Sequence, residues 1–127
     1  MNFPDKLDVL TIQARLIAET GGSVGLRDEG LLESALAATE NRFGYENADL
    51  VKCAATYAYH LTQAHAFVDG NKRLAAAVTE TFIESNGSEL LMNDGEIVRV
   101  FLEMAAGILT RDDVEDLLRR NIRKRNS

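Results

Sequence analysis

The chain has 127 residues, 46% of them apolar and 27% charged, and a net charge of −6. That length suits one domain with a real core, over residues 1–127, and that balance excludes a disordered or fibrous chain. The negative charge argues against direct nucleic-acid binding, and no window approaches the run of about 18 apolar residues that a membrane span needs.

The N-terminus MNFPDKLDVL carries acids and no apolar run of signal-peptide length, so a cytoplasmic location is expected. Cys53 is the one cysteine; among apolar neighbours it reads as a packed thiol.

Residues 5–20 predict a first helix with Leu10, Ala14, Ile17 and Ala18 on one face and Gly21 beyond its end. After a loop, GGSVGLR, Asp28 can cap a second helix to about Thr39, with Leu32, Ala35 and Leu36 inward. ENRFGYENAD breaks the helical period and reads as a short extended flap holding Arg42, Phe43 and Tyr45. The third helix runs from about Asp49 to Ala64, striped by Leu50, Cys53, Ala54, Tyr57 and Leu61. Residues 74–87 predict a fourth, with Leu74, Ala77, Val78, Thr81 and Phe82 on one face; its run of alanines marks it as the central helix. Asn93 or Asp94 can cap a fifth helix to about Ala106. Thr110 with Asp113 makes a capping box for a sixth that ends near Arg123, its terminal cations at the negative end of the dipole. SELLM, at 88–92, and the flap are the two strand candidates. The expected fold is all-α, a compact bundle of about six helices with a flap before the third.

The chemistry concentrates in HAFVDGNKR, His65 to Arg73, at the joint between two helices. A helix starting near Asn71 presents unpaired N–H groups and the positive end of its dipole, and Gly70 before it lets a ligand come close. Lys72 and Arg73 oppose that dipole, a conflict that a bound phosphate resolves. Asn71 can donate an amide hydrogen bond to phosphate or cap the helix. A lone carboxylate, Asp69, would repel phosphate unless a magnesium ion lay between them. His65 carries an imidazole that can take a proton from an attacking hydroxyl; Phe67 anchors the loop in the core. Taken singly, Asp69-Gly70-Asn71 is ordinary turn chemistry, His65 a helix cap, and Lys72 and Arg73 solvated charges. Their joint occurrence carries the functional reading.

HAFVDGNKR resembles the signature of the Fic/Doc superfamily, H-x-F-x-[D/E]-[G/A]-N-[G/K]-R, at all of its informative positions. GGSVGLRDEGLLESAL and the helical layout resemble the death-on-curing (Doc) branch. The resemblance implies His65 as general base, Asp69 as magnesium ligand, and Gly70, Asn71, Lys72 and Arg73 gripping the phosphates of ATP. The segment around Arg42, Phe43 and Tyr45 would position the target. Fic adenylyltransferases carry a small residue after the asparagine and a second arginine; here Lys72 and Ala76 stand there, both Doc-like, whereas Gly70 is typical of Fic proteins. The resemblance therefore implies a toxin of a toxin–antitoxin system. It would pass the γ-phosphate of ATP to a hydroxyl of a translation factor such as elongation factor Tu, and a Phd-like antitoxin would silence it in trans. The antitoxin groove is expected to be apolar with a charged rim, near residues 41–50 and the motif. Nucleotidyl transfer to a protein hydroxyl, and a non-catalytic nucleotide- or partner-binding module, are the alternatives.

Overall fold

The structure, a computed structural model, describes residues 1–22, 25–67 and 70–125. In chain order these form α1 (Lys6–Thr20), α2 (Glu29–Glu46), α3 (Leu50–Ala64), α4 (Asn71–Ser85), β1 (Ser88–Leu90), α5 (Asp94–Ala105), α6 (Arg111–Asn121) and β2 (Ile122–Lys124). The expected all-α bundle is what forms, with one small antiparallel sheet that pairs Glu89 with Arg123.

Side-chain caps set most helix starts. Asp5, Asp28, Asp49, Asn93 and Thr110 each accept from a backbone N–H three residues on, and the Thr110–Asp113 box is reciprocal, as its spacing predicts. The helix to which the motif belongs, α4, is the exception: Gly70 precedes it and makes no side-chain cap.

The centre of the bundle is α3 rather than α4. It packs against α2, α4, α5 and α6, and its alanines Ala54, Ala55 and Ala58 are fully buried. In α4 it is Ala75 that faces inward, while Ala76 and Ala77 are only half-buried. Tyr57 of α3 meets Phe82 of α4 edge-on at 4.9 Å; Phe82 stacks on Phe3, and Phe3 meets Phe43 edge-on at 5.4 Å. Cys53 is buried, and burial pushes its thiol up to about 11, so it remains a protonated packing group.

Two helix faces are rotated from expectation. On α1 the buried positions are Val9, Gln13 and Ile17, with Ala14 and Ala18 in solvent. On α4 they are Leu74, Ala75, Val78, Thr79, Phe82 and Ile83, so Ala77 and Thr81 do not face the core.

The extended flap does not form. Residues 40–46 continue α2 to Glu46, and Asn47 ends the helix in the left-handed region at φ 50°. The cause is Arg42, whose side chain is 9% exposed. Its guanidinium donates to Thr56 Oγ1 at 2.9 Å and the Lys52 carbonyl at 3.2 Å, and pairs with Glu115 at 3.1 Å and Glu46 at 3.2 Å. Ties to α3 and α6 thus hold this segment helical despite its glycine and asparagines. The basic end of the chain also departs from expectation: α6 stops at Asn121, and Arg123 crosses to Glu89 in the sheet.

Candidate active site at the α3–α4 joint

His65 ends α3 as its C-terminal cap, in the left-handed region at φ 48°, ψ 42°, and is exposed. The bland reading of His65 is therefore also a structural fact, since it caps α3, whereas Asn71 does not cap α4: Gly70 holds the cap position and Asn71 is the first helical residue. Ala66 and Phe67 then dive inward, 3% and 1% exposed, which makes Phe67 the anchor its apolar character predicts.

Asn71 ties this anchor to the helix start. Its Oδ1 accepts from the Phe67 N–H at 3.0 Å, and its Nδ2 donates to the Phe67 carbonyl at 2.9 Å. The side chain is thus committed first to shaping the loop. What it leaves for a phosphate is its backbone N–H and its second amide hydrogen.

Gly70 adopts φ 76°, ψ 21°, a left-handed conformation that other residues resist. A Cβ there would lie 3.5 Å from Arg73 Nη2 and from Ile17 Cδ1, ordinary contact distances, so the backbone angle constrains this position more than space does. The first intrahelical bond of α4 runs from the Leu74 N–H to the Gly70 carbonyl at 2.8 Å. The N–H groups of Asn71, Lys72 and Arg73 therefore precede the hydrogen-bond ladder and point out of the helix end. Lys72 and Arg73 are both exposed. Two cations on the first turn of a 15-residue helix, with no acid there, leave that end strongly attractive to anions.

Asp69 lies outside the described residues. Among the described residues no cluster of three metal-binding side chains occurs. A magnesium ion that borrows substrate phosphates needs no such cage, since one or two carboxylates suffice. In the sequence Asp69 is the motif's one carboxylate and so the donor such an ion would use.

Of the three positions assigned to target binding, Arg42 is withdrawn into the ion network and Phe43 packs on Phe3. Only Tyr45, at 91%, is largely exposed. An apolar groove of about 480 Å³ lies elsewhere, between α1, α4 and α5. Leu16, Ala76, Ala77, Ile97 and Phe101 line it, with Lys72 and Arg73 at one end and Glu80 and Asp94 at the other. It adjoins the motif as expected but not residues 41–50. Ala76, standing where a second arginine would fall, opens directly into it. Burial, with Glu84 and Asp94 nearby, holds the Glu80 carboxyl above its ordinary value.

Nothing in the motif points to Arg27, 38 residues before His65, yet its guanidinium donates to the His65 carbonyl at 2.8 Å. Among the described residues no helix is long and apolar enough to cross a membrane.

Comparison with known proteins agrees with this geometry. A family model described as Fic/DOC family matches residues 3–83, which take in α1 to α3, the whole motif and all but the last two residues of α4. The protein called Toxin Doc of Mycolicibacterium smegmatis (strain ATCC 700084 / mc(2)155) is 42% identical over 90 residues, covering 69% of this chain and 67% of that protein. With its motif at the α3–α4 joint and a family match over most of its length, the chain belongs to the Fic/DOC family.

Proposed function

We propose that the chain is the toxin of a toxin–antitoxin pair and acts as a Doc-like phosphotransferase. It passes the γ-phosphate of ATP to a hydroxyl of a translation factor, in the manner of an elongation factor Tu kinase, and so blocks translation. The observation that carries this reading is the first turn of α4. Left-handed Gly70, three N–H groups without intrahelical partners, Lys72 and Arg73 form a phosphate cradle that opens the helix following exposed His65, and Ala76 leaves the next turn without a second cation.

In this reading His65 takes the proton from the acceptor hydroxyl as its oxygen attacks phosphorus. The new bond joins that oxygen to the γ-phosphorus, the bond from the γ-phosphorus to the β–γ bridging oxygen breaks, and ADP leaves. Backbone N–H groups of residues 71–73, Lys72 and Arg73 meet the charge on the phosphate oxygens, where catalysis of this reaction chiefly lies. Asp69 would hold a magnesium ion, which when bound neutralises phosphate charge. Lack of a second arginine removes a charge-assisted grip worth roughly 1.5–3 kcal/mol, which favours presenting the γ rather than the α phosphorus.

The groove supports the antitoxin half of the proposal. An amphipathic helix with acids toward Lys72 and Arg73 and bases toward Glu80 and Asp94 would match it in polarity and charge.

The deciding experiment incubates the protein and purified elongation factor Tu with ATP labelled at either the α or the γ position. Label from the γ position alone is expected, and His65→Ala should reduce it by about 10²–10⁴-fold while leaving folding intact. Label from the α position would make the protein a nucleotidyltransferase, the outcome Gly70 would equally tolerate. A fully active His65→Ala protein would remove His65 from the chemistry.

A further inference from the structure

The segment Leu26–Asp28, before α2, is stitched to the end of α3. Leu26 and Phe67 form an isolated antiparallel bridge. The Arg27 and Asp28 N–H groups both donate to the Ala66 carbonyl, at 2.7 and 3.0 Å. A further tie comes from a side chain, Arg27 Nη2 to the His65 carbonyl at 2.8 Å.

Three features give that last bond a purpose. His65 is one of two non-glycine residues with positive φ among the described residues, so its backbone stays there only if neighbours hold it. The carbonyls ending α3 lack intrahelical partners and carry the negative end of its dipole, yet α3 has no basic residue in its last turn. Arg27 supplies that cation from a distant part of the chain. It is also distinct from the phosphate cradle: Lys72 and Arg73 sit on the first turn of α4, whereas the Arg27 guanidinium is bonded to main chain.

We propose that Arg27 is a positioning residue. It locks the His65 backbone in the left-handed conformation and thereby aims the imidazole at the acceptor hydroxyl. The proposal rests on the reading of His65 as the base, and the test separates the two.

Arg27→Ala and Arg27→Lys are compared with wild type and with His65→Ala in the full chain. Label transfer from γ-labelled ATP to elongation factor Tu is resolved into kcat and KM for ATP. The two histidines are also observed by NMR in protein labelled with ¹⁵N-histidine, so that His60, within α3, is an internal control. Arg27→Ala is expected to lower kcat by roughly 10- to 100-fold, the scale of a misaimed catalytic group, with KM for ATP nearly unchanged. The His65 signals should move or broaden while those of His60 stay. Lysine, which keeps the charge and can still donate to the carbonyl, should recover most of kcat. Wild-type kcat with unmoved His65 signals in Arg27→Ala would overturn the proposal while an inactive His65→Ala left the base assignment standing. A kcat loss that lysine does not restore, with His60 shifted equally, would reduce Arg27 to a general stabiliser and overturn it too. A fully active His65→Ala would overturn both readings. The NMR arm needs no acceptor protein and decides the positioning step even if no label is transferred.

Discussion

Asn71→Ala tests how the motif holds its own shape. The asparagine satisfies both the N–H and the carbonyl of Phe67, a residue 1% exposed. A buried polar group left without a partner costs about 1–3 kcal/mol, so the pair sets a range of roughly 2–6 kcal/mol. Asn71 is itself half-buried, so water reaches part of the vacated space and the lower half of that range applies. Alanine's better helix propensity returns about 0.7 kcal/mol or less. The expected loss is therefore about 2–3 kcal/mol. In a domain of this size each kcal/mol moves the midpoint by about 4 °C, giving a fall of roughly 8–12 °C. Thermal unfolding followed by far-ultraviolet circular dichroism measures it directly. A midpoint within about 2 °C of wild type would show that the Phe67 peptide groups find other partners, and the account of Asn71 as the loop's clasp would be wrong.

Arg42→Ala should cost about 1–3 kcal/mol, because it leaves the largely buried Glu115 carboxylate with only Arg119, at 3.9 Å, while activity per folded molecule stays at the wild-type level. Normal stability with lost activity would instead return Arg42 to target binding. Glu80 gives a pH-dependent prediction. A carboxyl whose folded-state value is raised favours folding most when protonated; that benefit is fully present below its ordinary value of 4.5 and is lost as pH rises through the folded value. Glu80→Gln should thus raise the melting midpoint at neutral pH and leave it unchanged well below 4.5, and a gain that persisted in acid would contradict this origin.

The elements that announced themselves in the sequence were those with local causes. Asp28, Asn93 and the Thr110–Asp113 box mark helix starts because a cap is a contact three residues long. The cationic start of α4 was legible for the same reason: helix start, glycine and cations are contiguous. What escaped depends on distant partners. Gly44, Asn41 and Asn47 suggest a break, but Arg42 reaches across to Thr56 and Glu115, and those ties outweigh local propensity. Gln13 is buried on α1, so a face drawn through apolar residues alone came out rotated. β2 pairs with a strand more than thirty residues earlier, and no turn signal links them. Arg27 is ordinary by composition, and only the fold brings it to the His65 carbonyl.

The Leu26–Phe67 bridge spans 41 residues (67 − 26). Closing so long a loop costs roughly 3 kcal/mol of chain entropy, about what the three accompanying hydrogen bonds return at about 1 kcal/mol each. By itself the clamp is close to break-even, so it forms late, after α2 and α3 have docked, and is among the first contacts to open. Amide protons there should exchange sooner than those of central α3. On warming, catalysis should then fail before the helices melt: the active site has a lower working ceiling than the bundle that carries it.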